Sequence, residues 1–168
     1  MPSNNGRMEK NMKKKTAIYL FLCIILVLAP STSVFADTTV DTDIDYLEDG
    51  SYYETIIEVE EPGISFFATK TTKDGKKTTT YKNSNGTTLW SVTVHGVFSY
   101  NGSTSSCTSS KASTTDPSTA WSIKNKDASK SGSTARAKAT AVQKQNGAVI
   151  NTVTKTVSLT CNRDGKLS

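Results

Sequence analysis

Chemically versatile side chains are scarce in this chain. Its 168 residues include one histidine, His95, and three cysteines. A metal centre or a Ser-His-acid arrangement needs partners gathered around such a histidine. Alternation along the surrounding stretch sets His95 on the face opposite Trp90 and Val94, turned outward. Acids are equally thin in the C-terminal part, with four between Thr69 and Ser168. These shortages exclude a clustered Ser, Asp and His. No catalytic, metal-binding or cofactor-binding residue is nominated, and the protein is expected not to be an enzyme. Helical periodicity is missing as well. Without a reading helix, or a basic module with interleaved aromatics, nucleic acid is not an expected partner.

The apolar run from Ala17 to Ala29 falls short of the roughly 20 residues that a permanent membrane helix needs. Lys13, Lys14 and Lys15 precede it, and small residues follow at Val34-Phe35-Ala36. That order predicts a signal peptide over residues 1–36, cleaved between Ala36 and Asp37. The expected protein is therefore secreted, extracellular or cell-wall associated, with no permanent membrane anchor. Cys23 leaves with the signal. Cys107 and Cys161 then remain, and in an exported chain they are expected to form one disulfide. Closing that long loop is worth about 4 kcal/mol on the chain-entropy account.

Charge is divided along the chain. Ten acids and no lysine or arginine lie between Asp37 and Ala68. From Thr69 to Ser168 there are fifteen bases and four acids, a net charge of +11. Residues 37–68 read as an acidic arm with one possible strand near 51–60, and 69–168 as a basic domain. The arm is a candidate to fold back and mask the basic part.

The basic part reads as β structure throughout. Trp90, Val92, Val94, Gly96, Phe98 and Tyr100 alternate with Ser91, Thr93, His95, Val97 and Ser99, and Ala135, Ala137, Ala139 and Ala141 alternate with Thr134, Arg136, Lys138 and Thr140. Val153, Val157, Leu159 and Cys161 alternate with threonines and Ser158. Asn-Gly pairs at 85–86, 101–102 and 146–147 mark turns. A two-residue turn at the first places Tyr81 opposite Trp90 and Thr79 opposite Val92. The same rule at the second places Cys107 opposite Gly96. At the third it sets the alanines against threonines, facing the apolar sets of the two strands opposite ways. An extra residue is therefore expected there, as a bulged Gly147 in a three-residue loop. The expected fold is all-β, an antiparallel β-sandwich, Ig-like in character, of about six to seven strands; a small β-barrel is the alternative.

Tyr81-Lys82-Asn83-Ser84-Asn85-Gly86, Leu89-Trp90-Ser91-Val92-Thr93-Val94 and Thr154-Lys155-Thr156-Val157-Ser158-Leu159-Thr160-Cys161 resemble segments of small secreted proteins of unknown function from Gram-positive, Clostridia-like bacteria. The resemblance implies secretion and a bacterial source, and it transfers no functional residue. Asn85-Gly86-Thr87 and Asn101-Gly102-Ser103, which match the N-glycosylation pattern, are then turn chemistry. Trp90 and Trp121 are assigned to the core, and Tyr52, Tyr53, Phe66 and Phe67 to an added strand and its packing. The lysines suit an anionic cell-wall polymer, and an extracellular protein is the other expected partner. A secreted antagonistic effector, a bacteriocin or toxin, is the alternative function. N-terminal sequencing of the protein recovered from culture medium is expected to begin at Asp37; recovery of an N-terminus upstream of Ala17 overturns the export signal.

Overall fold

Alternating sequences from end to end of the described region form eight strands and no helix. The structure, a computed structural model, describes residues 40–60 and 71–168. The signal segment, with Cys23, Ala36 and Asp37, lies outside the described residues, as do Phe66 and Phe67. The strands are β1 (Val40–Tyr46), β2 (Tyr52–Glu60), β3 (Thr71–Lys82), β4 (Thr88–Tyr100), β5 (Ser105–Thr115), β6 (Trp121–Ser131), β7 (Thr134–Gln145) and β8 (Ala148–Thr160). Strands β1 to β5 make one antiparallel sheet in chain order, and β6 to β8 make a second. The sheets face each other without closing, so the sandwich is borne out and the barrel is not.

The core follows from the alternation. Trp90, Val92, Val94 and Phe98 point inward from β4 and are fully buried. Ala135, Ala137, Ala139 and Ala141 meet them from β7, with Val157 and Leu159 from β8. Four small side chains in a row let β7 approach the large side chains of β4 and fill the space between sheets. Gly96 completes the fit. A Cβ there would lie 2.6 Å from the Phe98 ring and 3.0 Å from the Ala135 Cβ.

The acidic arm is not a separate piece. Its residues supply β1 and β2, which pair with each other and then with β3. A division at 68/69 falls between two hydrogen-bonded neighbours of one sheet. β1 is not announced by the sequence because its aspartates, Asp41, Asp43 and Asp45, take the face that continues the inner side of the sheet, while Ile44 and Tyr46 on the other face stay exposed. It is an edge strand held by backbone pairing, and acids on an edge discourage pairing with other chains. A tight turn joins it to β2: Gly50, at φ 78°, donates its N–H to the Leu47 carbonyl at 3.0 Å. Asp49 accepts from the Ser51 N–H at 3.0 Å and from the Ser51 hydroxyl, which holds its carboxyl below the usual carboxylate range.

The first two Asn-Gly pairs lie in loops longer than two residues, and the third is a two-residue turn. Tyr81 does pair with Trp90 and Thr79 with Val92, but through a longer loop that a β-bulge beside Lys82 compensates. At the second turn Cys107 faces Phe98, not Gly96. The Asn101 side chain accepts from the N–H groups of Ser103 and Thr104, at 3.0 and 2.9 Å, and lengthens the loop. At the third, Asn146 (φ 51°) and Gly147 (φ 82°) form a true two-residue turn between Gln145 and Ala148. The required extra residue is Ile150, bulged out of β8 where the register shifts beside Gln143 and Lys144. Ala137 then faces Val157 and Ala135 faces Leu159, as core burial demands.

Beyond β8 the chain doubles back. Cys161 bridges to Leu167, and Thr160 and Ser168 exchange two backbone hydrogen bonds at 2.9 and 3.0 Å. Leu167 packs over Gly75 of β3, Gly165 lies against the Tyr100 ring, and Gly102 donates to the Arg163 carbonyl at 2.9 Å. This C-terminal hook joins one end of the three-stranded sheet to the five-stranded one. Because Gly96 has no room for a side chain, Gly96→Val is expected to cost about 2–3 kcal/mol in urea denaturation. Exposed Ala128→Val is expected to change stability by less than about 0.5 kcal/mol.

Candidate functional site

The acids gather on β1 and β2 and the three-stranded sheet is basic, while β3 to β5 carry five lysines and one acid, Asp74. Residues 40–60 hold eight acids and no base, whereas 121–160 hold seven bases and one acid, Asp127. The alternation that buries the β7 alanines turns Arg136 and Lys138 outward, where both are exposed. Ser129 and Ser158 flank Arg136 across the ladders, and Asp127 and Thr156 flank Lys138. Hydroxyls cover the same face: Thr134 meets Thr160, and Thr140 meets Thr154, each pair at 3.0 Å. Cross-strand hydroxyl pairs of this kind contribute about 0.2–1 kcal/mol apiece. They recur on the other sheet at Thr78–Thr93 (2.9 Å) and Ser91–Thr115 (2.7 Å), and they account for the Ser/Thr-rich composition.

At one end of this outer face is a recess of about 490 Å³ between Lys124 and Lys144. Val142 is 6% exposed and forms its floor, with Ser122, Ile123, Val149 and Thr152 around it. Two bulges build it. Lys124 is the extra residue of β6, where the register shifts between Ile123 and Asn125, and Ile150 is that of β8. Each bulge lifts its strand away from the straight ladder on one side of Val142. Val149 and Ile150, 55% and 54% exposed, extend the apolar rim.

Other lysines are occupied elsewhere. Lys82 pairs with Glu54 at 2.7 Å, and the hydrogen bond raises the lysine above its ordinary pKa. Lys130 donates to the Thr108 carbonyl, tying β6 to β5. Lys155 sits 3.8 Å above the Tyr53 ring, a cation–π contact. That ring belongs to an aromatic nest with Tyr81, Trp90 and Trp121, whose neighbouring centroids lie 5.1 to 6.4 Å apart. Trp90 and Trp121 are 0% and 5% exposed, so both are core, and burial pushes the Tyr53 hydroxyl above its ordinary pKa. Tyr52 belongs to the added strand β2 and packs against Tyr46, with ring centroids 5.3 Å apart and the planes tilted by 46°.

His95 lies on the outer face of β4, where Nε2 is 3.4 Å from Asp74 Oδ1. Lys111 is its cross-strand partner on β5. No group of three metal-binding side chains exists among the described residues. Cys107 and Cys161 are separate buried thiols, so the expected disulfide is not formed in this structure. The thiols donate instead to backbone carbonyls, Cys107 to Ser109 at 3.2 Å and Cys161 to Asn162 at 3.4 Å. The acidic strands do not cover the basic face. Arg136, Lys138 and the recess lysines are exposed with β1 and β2 in place at the far edge of the other sheet.

The recess was not visible in the sequence, because neither bulge has a glycine or a turn residue to announce it. Its only signal was the clash of register at the third Asn-Gly turn. The chain matches no known protein family, no curated protein and no solved structure at a significant level. Deleting Ile150 removes the bulge and forces either a register slip or a distorted turn. The expected result is a loss of about 3 kcal/mol or more, from exposure of Val157 and Leu159. Ile150→Ala, which keeps the backbone count, is expected to stay within about 0.5 kcal/mol by thermal or urea unfolding.

Proposed function

We propose that the protein is a secreted, non-enzymatic β-sandwich that binds an anionic polymer of the cell envelope through the outer face of β6–β8. The observation carrying this reading is the exposed set Lys124, Arg136, Lys138 and Lys144 on one three-stranded face, with the recess at its end. A polyanion gains from such a face by releasing its condensed counterions, so binding weakens as salt rises. Hydroxyl rows between the bases suit hydrogen bonds to phosphate and sugar oxygens. The export signal and the resemblance to secreted bacterial proteins support an extracellular setting, where phosphate-rich wall polymers are the abundant polyanions. The acidic strands sit on the other sheet, which leaves the protein nearly neutral overall while one face stays cationic. Such a distribution orients a molecule toward a negative surface more than net charge does.

Purified Gram-positive cell walls at low ionic strength are expected to retain the protein and to release it as salt is raised. Lys124→Glu combined with Lys144→Glu is expected to weaken retention about tenfold. Lys111→Glu with Lys166→Glu makes the same change in net charge away from this face and is expected to have little effect. Equal losses from both pairs, or no retention of the unaltered protein, overturn the assignment.

A further inference from the structure

Cys107 and Cys161 come from opposite sheets and are buried in one core cluster. Cys107 follows the β4–β5 turn, and its pairing with Phe98 points it inward. Cys161 follows Leu159 on the inward-facing set of β8 and opens the C-terminal hook. Their backbones converge on the β6–β7 turn. The Cys107 N–H donates to the Gly132 carbonyl at 2.8 Å, and the Cys161 N–H donates to the Ser133 carbonyl at 3.0 Å. The backbone N–H groups of the two cysteines are thus held by the carbonyls of adjacent residues, Gly132 and Ser133.

We infer that this pair is a redox-controlled staple, which an external disulfide oxidant closes into a Cys107–Cys161 cross-sheet bond. One thiol, as thiolate, attacks the oxidant's disulfide and forms a mixed disulfide, releasing one small thiol. The second attacks the protein sulfur of that mixed disulfide and releases another. Both protein sulfurs are oxidised together by two electrons, and their two protons leave on the two released thiols or to solvent. The local hydrogen bonds to Ser109 and Asn162 are given up as the sulfurs turn toward each other.

The location gives the bond a specific consequence. Within the described residues, few features tie the hook to the five-stranded sheet: Leu167 over Gly75, Gly165 against Tyr100, and Gly102 with Arg163. A bond from Cys161 to the start of β5 anchors the hook beside those contacts. Burial, the largest influence on Cys107, pushes its thiol above the ordinary value and outweighs the opposing charge of Lys130. The thiolate is therefore rare at neutral pH, and closure should quicken as pH rises through that range.

The test uses the full chain with Cys23→Ser, so that only these two thiols are present. It is reduced, then treated with oxidised glutathione and digested after thiol blocking. The expected result is one crosslinked peptide pair holding Cys107 and Cys161 in a monomer, faster formation at higher pH, and a higher urea midpoint than the reduced form. Cys107→Ser and Cys161→Ser are each expected to abolish the midpoint shift. The Cys107→Ala, Cys161→Ala double variant under reducing conditions checks that the thiols themselves are dispensable for folding. Intermolecular dimers, two alkylatable thiols after oxidation, or identical midpoints in the two redox states overturn the inference.

Discussion

The contact between the alanine row of β7 and the large side chains of β4 governs the rest of the structure. Four alanines spaced two apart bring the strands close enough for Trp90, Val92, Val94 and Phe98 to be fully buried. That closeness leaves no tolerance for register error, because a slip of one residue replaces Ala137 and Val157 at the core with Arg136 and Thr156. The bulge at Ile150 is the price of this contact. A two-residue Asn-Gly turn is the favoured local geometry, yet it delivers β8 in the wrong register. The chain keeps the turn and corrects the register within β8.

Alternation was legible wherever it involved apolar residues. β4, β7 and β8 were visible for that reason, and so was the conflict at the third turn. The location of the correction was not visible, since a bulge at Ile150 and one at Gly147 satisfy the same core pattern. β1 was hidden by a different cause: its alternation is between acids and residues of mixed polarity, and backbone pairing to β2 carries it. For Cys107 the alternation determines the face, whereas the partner, Phe98, depends on the loop. The Asn101 side chain lengthens the loop by capping two N–H groups, and face survives such a change where partner identity does not. The recess combines two bulges and so inherits both ambiguities.

Charge and packing are linked through the same alternation. Burying every second residue of β7 as alanine leaves the positions between them for Arg136 and Lys138, and small inward residues place no demand on the outward ones. The outer face is thus free to be cationic and hydroxylated at little cost to the core. On β1 the logic reverses. Asp41, Asp43 and Asp45 share the face that continues the inner side of the five-stranded sheet, but they lie beyond the three strands that would cover them, so their charges stay hydrated. A five-stranded sheet opposite a three-stranded one is what allows one polypeptide to hold both charge signs without burying either.

The cysteine pair and the recess stand at opposite ends of β7. Ser133 precedes the strand and Lys144 nearly ends it, eleven residues further on, which corresponds to roughly 35 Å at ordinary strand rise. Direct electrostatic influence over that span is screened within about 10 Å at moderate ionic strength. Oxidation at the hook can therefore reach the recess only by stiffening the strands between, and β7 is the central strand of its sheet, hydrogen-bonded on both sides. Such a strand is already among the least deformable elements of the molecule. A staple at one end then hardens the sandwich against unfolding while leaving the cationic face as it was.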